Sequence, residues 1–330
     1  VLPSSVRIFA KTRQNGQNLR GAPLEVRSAR DYLLNNFSLD PCRYKASENQ
    51  IRASAKAESN KNRKNTETVI SVREAWFRYE KDSKDILCGM NFDVHAGELT
   101  CIVGGNGAGK TTALLTAAGV FAPYRGKVKY RGKPISTFRK DKGSAGKIGV
   151  LVQNPLCCFV MDSVAEELEA TAKAYKLPRS GIEEVIDIMQ LQSVLGSNPY
   201  DISGGELQRA AIAKLLLPEP EVIFLDEATK GMDAFFKAEF GALLRRLAAR
   251  GTAIVLVSHD IEFCAEFADR CAMFFNGTVI AEGTPHEVFL GNSFYTTSAC
   301  RISRGIIPDA LTSEQIIDYA NRCERKKNDA

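Results

Sequence analysis

The sequence predicts an α/β fold, on three observations. Short, wholly apolar runs such as Val222–Leu225 and Ala253–Val257 read as strands buried on both faces. Segments with 3.6-residue apolar spacing, such as Phe235–Ala249, lie between them. A glycine-rich turn, Gly104–Gly109, joins an apolar run to a helical one. Strands alternating with helices define the α/β class.

In chain order, residues 67–103 read as an antiparallel sheet. Val69–Val72 starts a strand, Trp76–Tyr79 continues it, and Met90–Val94 alternates. A turn at His95–Glu98 leads into the apolar strand Leu99–Val103. A helix is expected from Thr111, then a buried strand at Ile148–Val152. Val164–Tyr175 and Ile182–Leu195 carry helical spacing. Leu207–Leu217 is a helix stopped by Pro218, since proline cannot continue it. Met273–Ile280 reads as a hairpin turning at Asn276-Gly277.

Hydrophobic residues make up 44% of the 330, so a sizeable core can form. No apolar run reaches the roughly 18 residues of a membrane span. The formal charge of +5 is concentrated rather than spread. Residues 43–66 hold seven basic side chains against two acidic ones, which equals the charge of the whole chain. That segment is rich in Ser, Asn and Ala, and it reads as a solvated linker over 43–67. No aromatic residues line up with its charges, which argues against a nucleic-acid face. Nine cysteines show no CxxC pair, and three histidines leave little room for a histidine metal site. Reduced thiols fit this pattern, and the adjacent Cys157-Cys158 carries no assigned chemistry.

Gly104-Gly105-Asn106-Gly107-Ala108-Gly109-Lys110-Thr111 fits G-x-x-x-x-G-K-[ST] between a strand and a helix. Its backbone N–H groups can wrap phosphates, with Lys110 on the β- and γ-phosphates and Thr111 on Mg²⁺. Asp226 ends an apolar strand, where a second magnesium contact is expected. Glu227 follows it as a candidate general base. Ser203-Gly204-Gly205-Glu206 opens a helix, as a capping box or as an anion site.

Taken together, the P-loop, Gln153 after Ile148–Val152, Ser203–Glu206, Asp226-Glu227 and Ser258-His259-Asp260 resemble the motif order of ABC-type ATPases. The resemblance covers about Val69 to Leu290. It implies a P-loop NTPase with a RecA-like core, an antiparallel β subdomain and a helical subdomain, with an ABC ATPase domain over 68–290. It implies ATP and Mg²⁺ as ligands. Tyr79 would stack on adenine, and Gly104 through Thr112 would hold the phosphates. Ser203, Gly204, Gly205, Glu206 and Asp233 would act across a pair of domains. Glu227, His259 and Gln153 would be catalytic, with Thr111, Gln153 and Asp226 at the metal. Glu206 replaces the usual glutamine, and Ala228 a common proline.

Asp226–Asp233 and Asp260–Arg270 are similar to the energy-coupling-factor (ECF) group. This implies an importer of a vitamin or of a transition-metal ion, on the cytoplasmic face of a membrane. Its partners would be a second ABC ATPase domain, a transmembrane coupling protein and a substrate-binding membrane component, with no nucleic acid. Another transporter branch and a soluble ABC ATPase acting on ribosomes remain the alternatives.

The two ends of the chain resemble each other. Ser4-Ser5-Val6-Arg7-Ile8 is followed by Leu24, Asp31 and Tyr32; Ser298-Ala299-Cys300-Arg301-Ile302 is followed by Leu311, Asp318 and Tyr319. One gap aligns both sets, as a duplicated unit would. Residues 1–42 are therefore expected to be the tail of a preceding ABC domain, with 291–330 as the matching C-terminal extension. The start at Val1 is read in the same sense, as the second half of a tandem chain.

Overall fold

The computed structural model describes residues 3–13, 22–38, 67–290, 295–307 and 309–323. In chain order the elements are α1 (Ser4–Thr12), α2 (Val26–Asn36), β1 (Thr68–Phe77), β2 (Leu87–His95), β3 (Leu99–Gly104), α3 (Lys110–Ala117), β4 (Arg125–Tyr130), β5 (Lys133–Pro134), α4 (Ile135–Lys140), β6 (Ile148–Leu151), α5 (Val164–Tyr175) and α6 (Arg179–Met189). They continue with α7 (Gly204–Leu216), β7 (Val222–Asp226), α8 (Ala234–Ala249), β8 (Ala253–Val257), α9 (Ile261–Phe267), β9 (Arg270–Phe275), β10 (Thr278–Gly283), α10 (Pro285–Phe289), α11 (Ser298–Ser303) and α12 (Ser313–Arg322). They fall into two compact units. The basic run from Arg43 to Thr66 lies outside the described residues.

The larger unit holds residues 67–260 and 267–282. Its six-stranded sheet has the order β10-β9-β3-β8-β7-β6, with parallel pairing of β3 to β8 and β9 and of β7 to β8 and β6. Every residue of β3, β7 and β8 is buried, as central parallel strands require. An antiparallel sheet of order β2-β1-β4-β5 accompanies it. The inner faces of β1, β2 and β4 share one core with β3, α3 and the central strands; Ile70, Leu87, Ile102 and Phe274 are among its members.

Three local expectations change. The strand at Ile148–Val152 ends at Leu151 and is only half-buried over its first three residues, because β6 is the sheet's edge. The helix expected over Ile182–Leu195 runs instead from Arg179 to Met189. Gln190 adopts a left-handed conformation (φ 52°), and Leu191 N–H donates back to Ile186 C=O, so the helix closes there. Strand β4 was not foreseen. Its alternation is confined to Lys127-Val128-Lys129-Tyr130, and its outward residues are exposed.

The smaller unit holds the described parts of 1–66, 261–266 and 283–330. Helix α1 packs on α12, and α11 packs on α2. On the alignment of the two ends expected from the sequence, α1 corresponds to α11 and α2 to α12, so the first helix of each end packs on the second helix of the other. Burial follows the same pairing. Ile8 and its equivalent Ile302, Ala29 and Ile316, and Leu33 and Ala320 are all 0% exposed in a single apolar cluster. Leu24 breaks the pattern, being 77% exposed where Leu311 is 3% exposed. Arg7 bridges Glu314 at 2.8 Å and Glu266 at 3.5 Å across this unit.

Candidate functional site

The P-loop lies between β3 and α3, as the motif requires. Gly109 has φ 98°, in the left-handed region, and a Cβ there would meet Ile86 O at 2.9 Å. Only glycine tolerates both. The turn places Lys110 at the first position of α3, 7% exposed, with Nζ donating to Gly104 O at 3.0 Å and Gly105 O at 2.9 Å. Burial pushes its pKa down, and the nearby Glu227 and Asp226 carboxylates push back.

Strand β7 delivers Asp226 and Glu227 to this point. Thr111 Oγ1 donates to Asp226 Oδ2 at 2.8 Å. Asp226 Oδ1 is buried and has no hydrogen-bond partner among the described residues. Burial raises the Asp226 pKa, opposed by the Thr111 hydrogen bond and the Lys110 charge. An alcohol oxygen beside an orphaned carboxylate oxygen is a donor set for a hard divalent cation. Glu227 holds a left-handed backbone (φ 56°), a strain of about 1–3 kcal/mol for a non-glycine residue. Its N–H donates to Val257 O at 3.0 Å, which ties the turn to β8. His259, just past β8, brings Nε2 to 3.0 Å from Glu227 Oε1 and 3.4 Å from Lys110 Nζ. Thr111, Asp226, Glu227, His259 and Lys110 thus form one connected cluster.

Tyr79 donates or accepts at Thr112 Oγ1, 3.0 Å away, and the residue is 60% exposed. Phe77 and Phe121 hold it edge-on, at 5.2 and 5.7 Å between centroids. This leaves the half-exposed Tyr79 side chain beside the P-loop helix. Phe121 was not singled out from the sequence, because nothing in its spacing links it to Tyr79. Gln153 follows β6 and is exposed; among the described residues it makes no hydrogen bond to the cluster.

Ser203–Glu206 are not brought to this P-loop cluster. They line a separate concavity of about 430 Å³ with Arg209, Gly231, Met232, Asp233 and Phe236. The capping box is formed in full. Ser203 Oγ accepts from Glu206 N–H at 3.3 Å, and Glu206 Oε2 accepts from Ser203 N–H at 2.9 Å and from its hydroxyl at 2.6 Å. The Ser203 hydroxyl and N–H hold the Glu206 carboxyl below its ordinary range. A Cβ on Gly205 would approach Gly231 O to 3.0 Å, so this helix start needs its glycine to pack on the turn after Thr229. Asp233 caps α8 by accepting from Phe235 and Phe236 N–H at 2.9 and 3.0 Å.

The family model described as ABC transporter matches residues 87–230. An Energy-coupling factor transporter ATP-binding protein, EcfA, of Methanocaldococcus jannaschii is 33% identical over 226 residues, covering 67% of this chain and 81% of that one. The chain belongs to the ABC transporter ATP-binding family. A Bacillus cereus relative, provisionally named an ABC transporter ATP-binding protein, is 38% identical over 258 residues, covering 78% of this chain. This ABC protein spans 46% of that relative, about half the length of the first curated relatives it matches. Among solved structures, cbiO1 from Clostridium perfringens, part of the ABC transporter complex cbiONQ, superposes with a TM-score of 0.60 at 30% identity. It covers 67% of this chain and 90% of its own. An ATP-binding cassette solved as a dimer in a post-hydrolysis state with ADP and Pi gives 0.58 at 25% identity, covering 66% of this chain and 98% of its own. The fold is that of an ABC ATPase domain.

For this ABC cassette the capping geometry carries a prediction. Glutamine at position 206 keeps an acceptor for the Ser203 N–H and removes one negative charge. Glu206→Gln is expected to leave steady-state ATPase activity within a few fold. A drop on the order of a hundredfold, about 2.7 kcal/mol of barrier, would show that the carboxylate does more than cap.

Proposed function

We propose that this chain binds and hydrolyses ATP and energises an ECF-type importer. The observation that carries the reading is the cluster in which Thr111 meets Asp226 and His259 meets Glu227 beside Lys110. The buried, orphaned Asp226 oxygen and Thr111 would hold Mg²⁺, with Gln153 as a further contact. When bound, Mg²⁺ neutralises phosphate charge. Lys110 and the P-loop amides bind the phosphates, and Tyr79 positions the adenine. Glu227 takes a proton from the attacking water while His259 holds the carboxylate and senses the γ-phosphate.

Ser203 and Gly205 complete the site of a partner domain, and Asp233 reaches toward that partner. The tails support a tandem reading in which residues 1–42 end a preceding cassette and 43–67 link it to the domain at 68–290. Reciprocal packing of repeat-equivalent helices is what two duplicated tails would give. So is the 46% coverage of the first curated relatives. The site would work on the cytoplasmic face of a membrane, against a transmembrane coupling protein and a substrate-binding membrane component. No helix among the described residues is long and apolar enough to cross a membrane itself. The resemblance to ECF proteins supports a vitamin or a transition-metal ion as cargo.

On this reading the purified chain can use its own Ser203–Glu206 motif only by pairing with a second copy. Weak ATPase activity is expected, with specific activity falling on dilution. Strong activity that does not change on dilution would count against this arrangement. Co-purification with membrane proteins supports the importer reading; co-purification with ribosomes would favour the soluble alternative.

A further inference from the structure

The loop that follows Gln153 ends in two exposed apolar side chains, Val160 at 81% and Met161 at 41% exposure. Its tip is not held by strand or helix pairing. Val160 N–H and Met161 N–H both donate to Glu167 Oε1, the Met161 bond being 2.7 Å long. Glu167 lies on the first turn of α5 and is 1% exposed. Its other oxygen, Oε2, accepts from Lys214 Nζ at 2.6 Å. Lys214 also donates to Cys158 O and lies 5.8 Å from the centre of the Phe159 ring.

Lys214 belongs to α7, the helix that Ser203 caps. Glu167 therefore joins the loop tip on one oxygen to α7, which opens at Ser203–Glu206, on the other. Burial alone would raise the Glu167 pKa, but Lys214 and the two amides outweigh it and hold the carboxyl below its ordinary range. An ionised carboxylate is what the arrangement needs, because every group facing it is a donor. Eleven residues separate Ser203 from Lys214, a lever of about 16 Å along the helix axis. A tilt of about 5° at Lys214 displaces Ser203 by about 1.4 Å on that lever.

We propose that Glu167 is a positioning residue that ties the Val160–Met161 tip to α7, so that a partner seated on the tip acts on Ser203. This rests on a further implication of the resemblance to ABC-type ATPases, that the loop at Gln153 also contacts the membrane partner. The clamp requires the carboxylate. In Glu167→Gln an amide NH₂ must face either the two backbone donors or the Lys214 ammonium, and one connection is lost.

Two measurements on the full chain test this. Hydrogen exchange without nucleotide should show the Val160 and Met161 amides of Glu167→Gln exchanging about tenfold faster, with the P-loop amides unchanged. Steady-state MgATP hydrolysis should show kcat falling by about tenfold with KM for ATP unchanged, since the P-loop that binds ATP is untouched. Lys214→Met should keep the two amides protected and lower kcat in the same way, which separates the link from general unfolding. Wild-type protection of Val160 and Met161 in Glu167→Gln overturns the proposal. So does loosened exchange with an unchanged kcat. A wild-type chain without turnover counts against the ATPase reading instead, and the exchange result then judges the clamp by itself.

Discussion

Glu227→Gln is expected to retain ATP binding and to lose turnover by about 10²–10⁴-fold, the usual contribution of a positioned general base. The amide keeps the volume of the side chain and an acceptor for His259, which lies 3.0 Å away, so the cluster should stay assembled. It cannot take a proton from water. Binding energy that normally leads to hydrolysis then persists as a closed pair of cassettes. Equilibrium binding of a labelled nucleotide, size-exclusion chromatography with MgATP and phosphate release measure the three parts separately. Undiminished phosphate release would remove Glu227 as the base and move attention to the His259–Lys110 contact.

Leu33→Asp is the second large effect. Leu33 is 0% exposed within the apolar cluster shared by α1, α2, α11 and α12. Truncation of a buried leucine alone costs about 2–5 kcal/mol. A carboxylate adds the penalty of burying a charge with no partner, or of protonating it. The tails should separate, making sites near both ends of the chain open to limited proteolysis. The candidate nucleotide-site residues all belong to the other unit, so nucleotide binding should change less than about twofold. A protease pattern identical to the wild type would mean that the tails do not depend on this shared core.

The site was legible in the sequence where its chemistry is local. Gly104–Thr111 and Asp226-Glu227 are contiguous, and each joins a strand end to a fixed turn or helix. Their meeting through Thr111 and Asp226, 115 positions apart, follows from the adjacency of β3, β8 and β7 in the sheet. What escaped depends on backbone or distant contacts. The left-handed backbone of Glu227 has no marker in residue type, and Phe121 meets Tyr79 only through the packing of separate elements. The end of α6 was missed because Gln190 is not a usual left-handed cap. The resemblance between the two ends is a sequence pattern only, and which helix packs on which required the structure.

That pairing also fixes an order of events in synthesis. Arg7 and Glu314 touch across 307 positions of sequence. At roughly 5–20 residues per second, translation of that stretch takes about 15–60 s. Helices α1 and α2 are made long before α11 and α12, so Ile8, Ala29 and Leu33 stay uncovered by those helices until residues 298–322 have been translated. For that interval these apolar faces are a natural station for a chaperone.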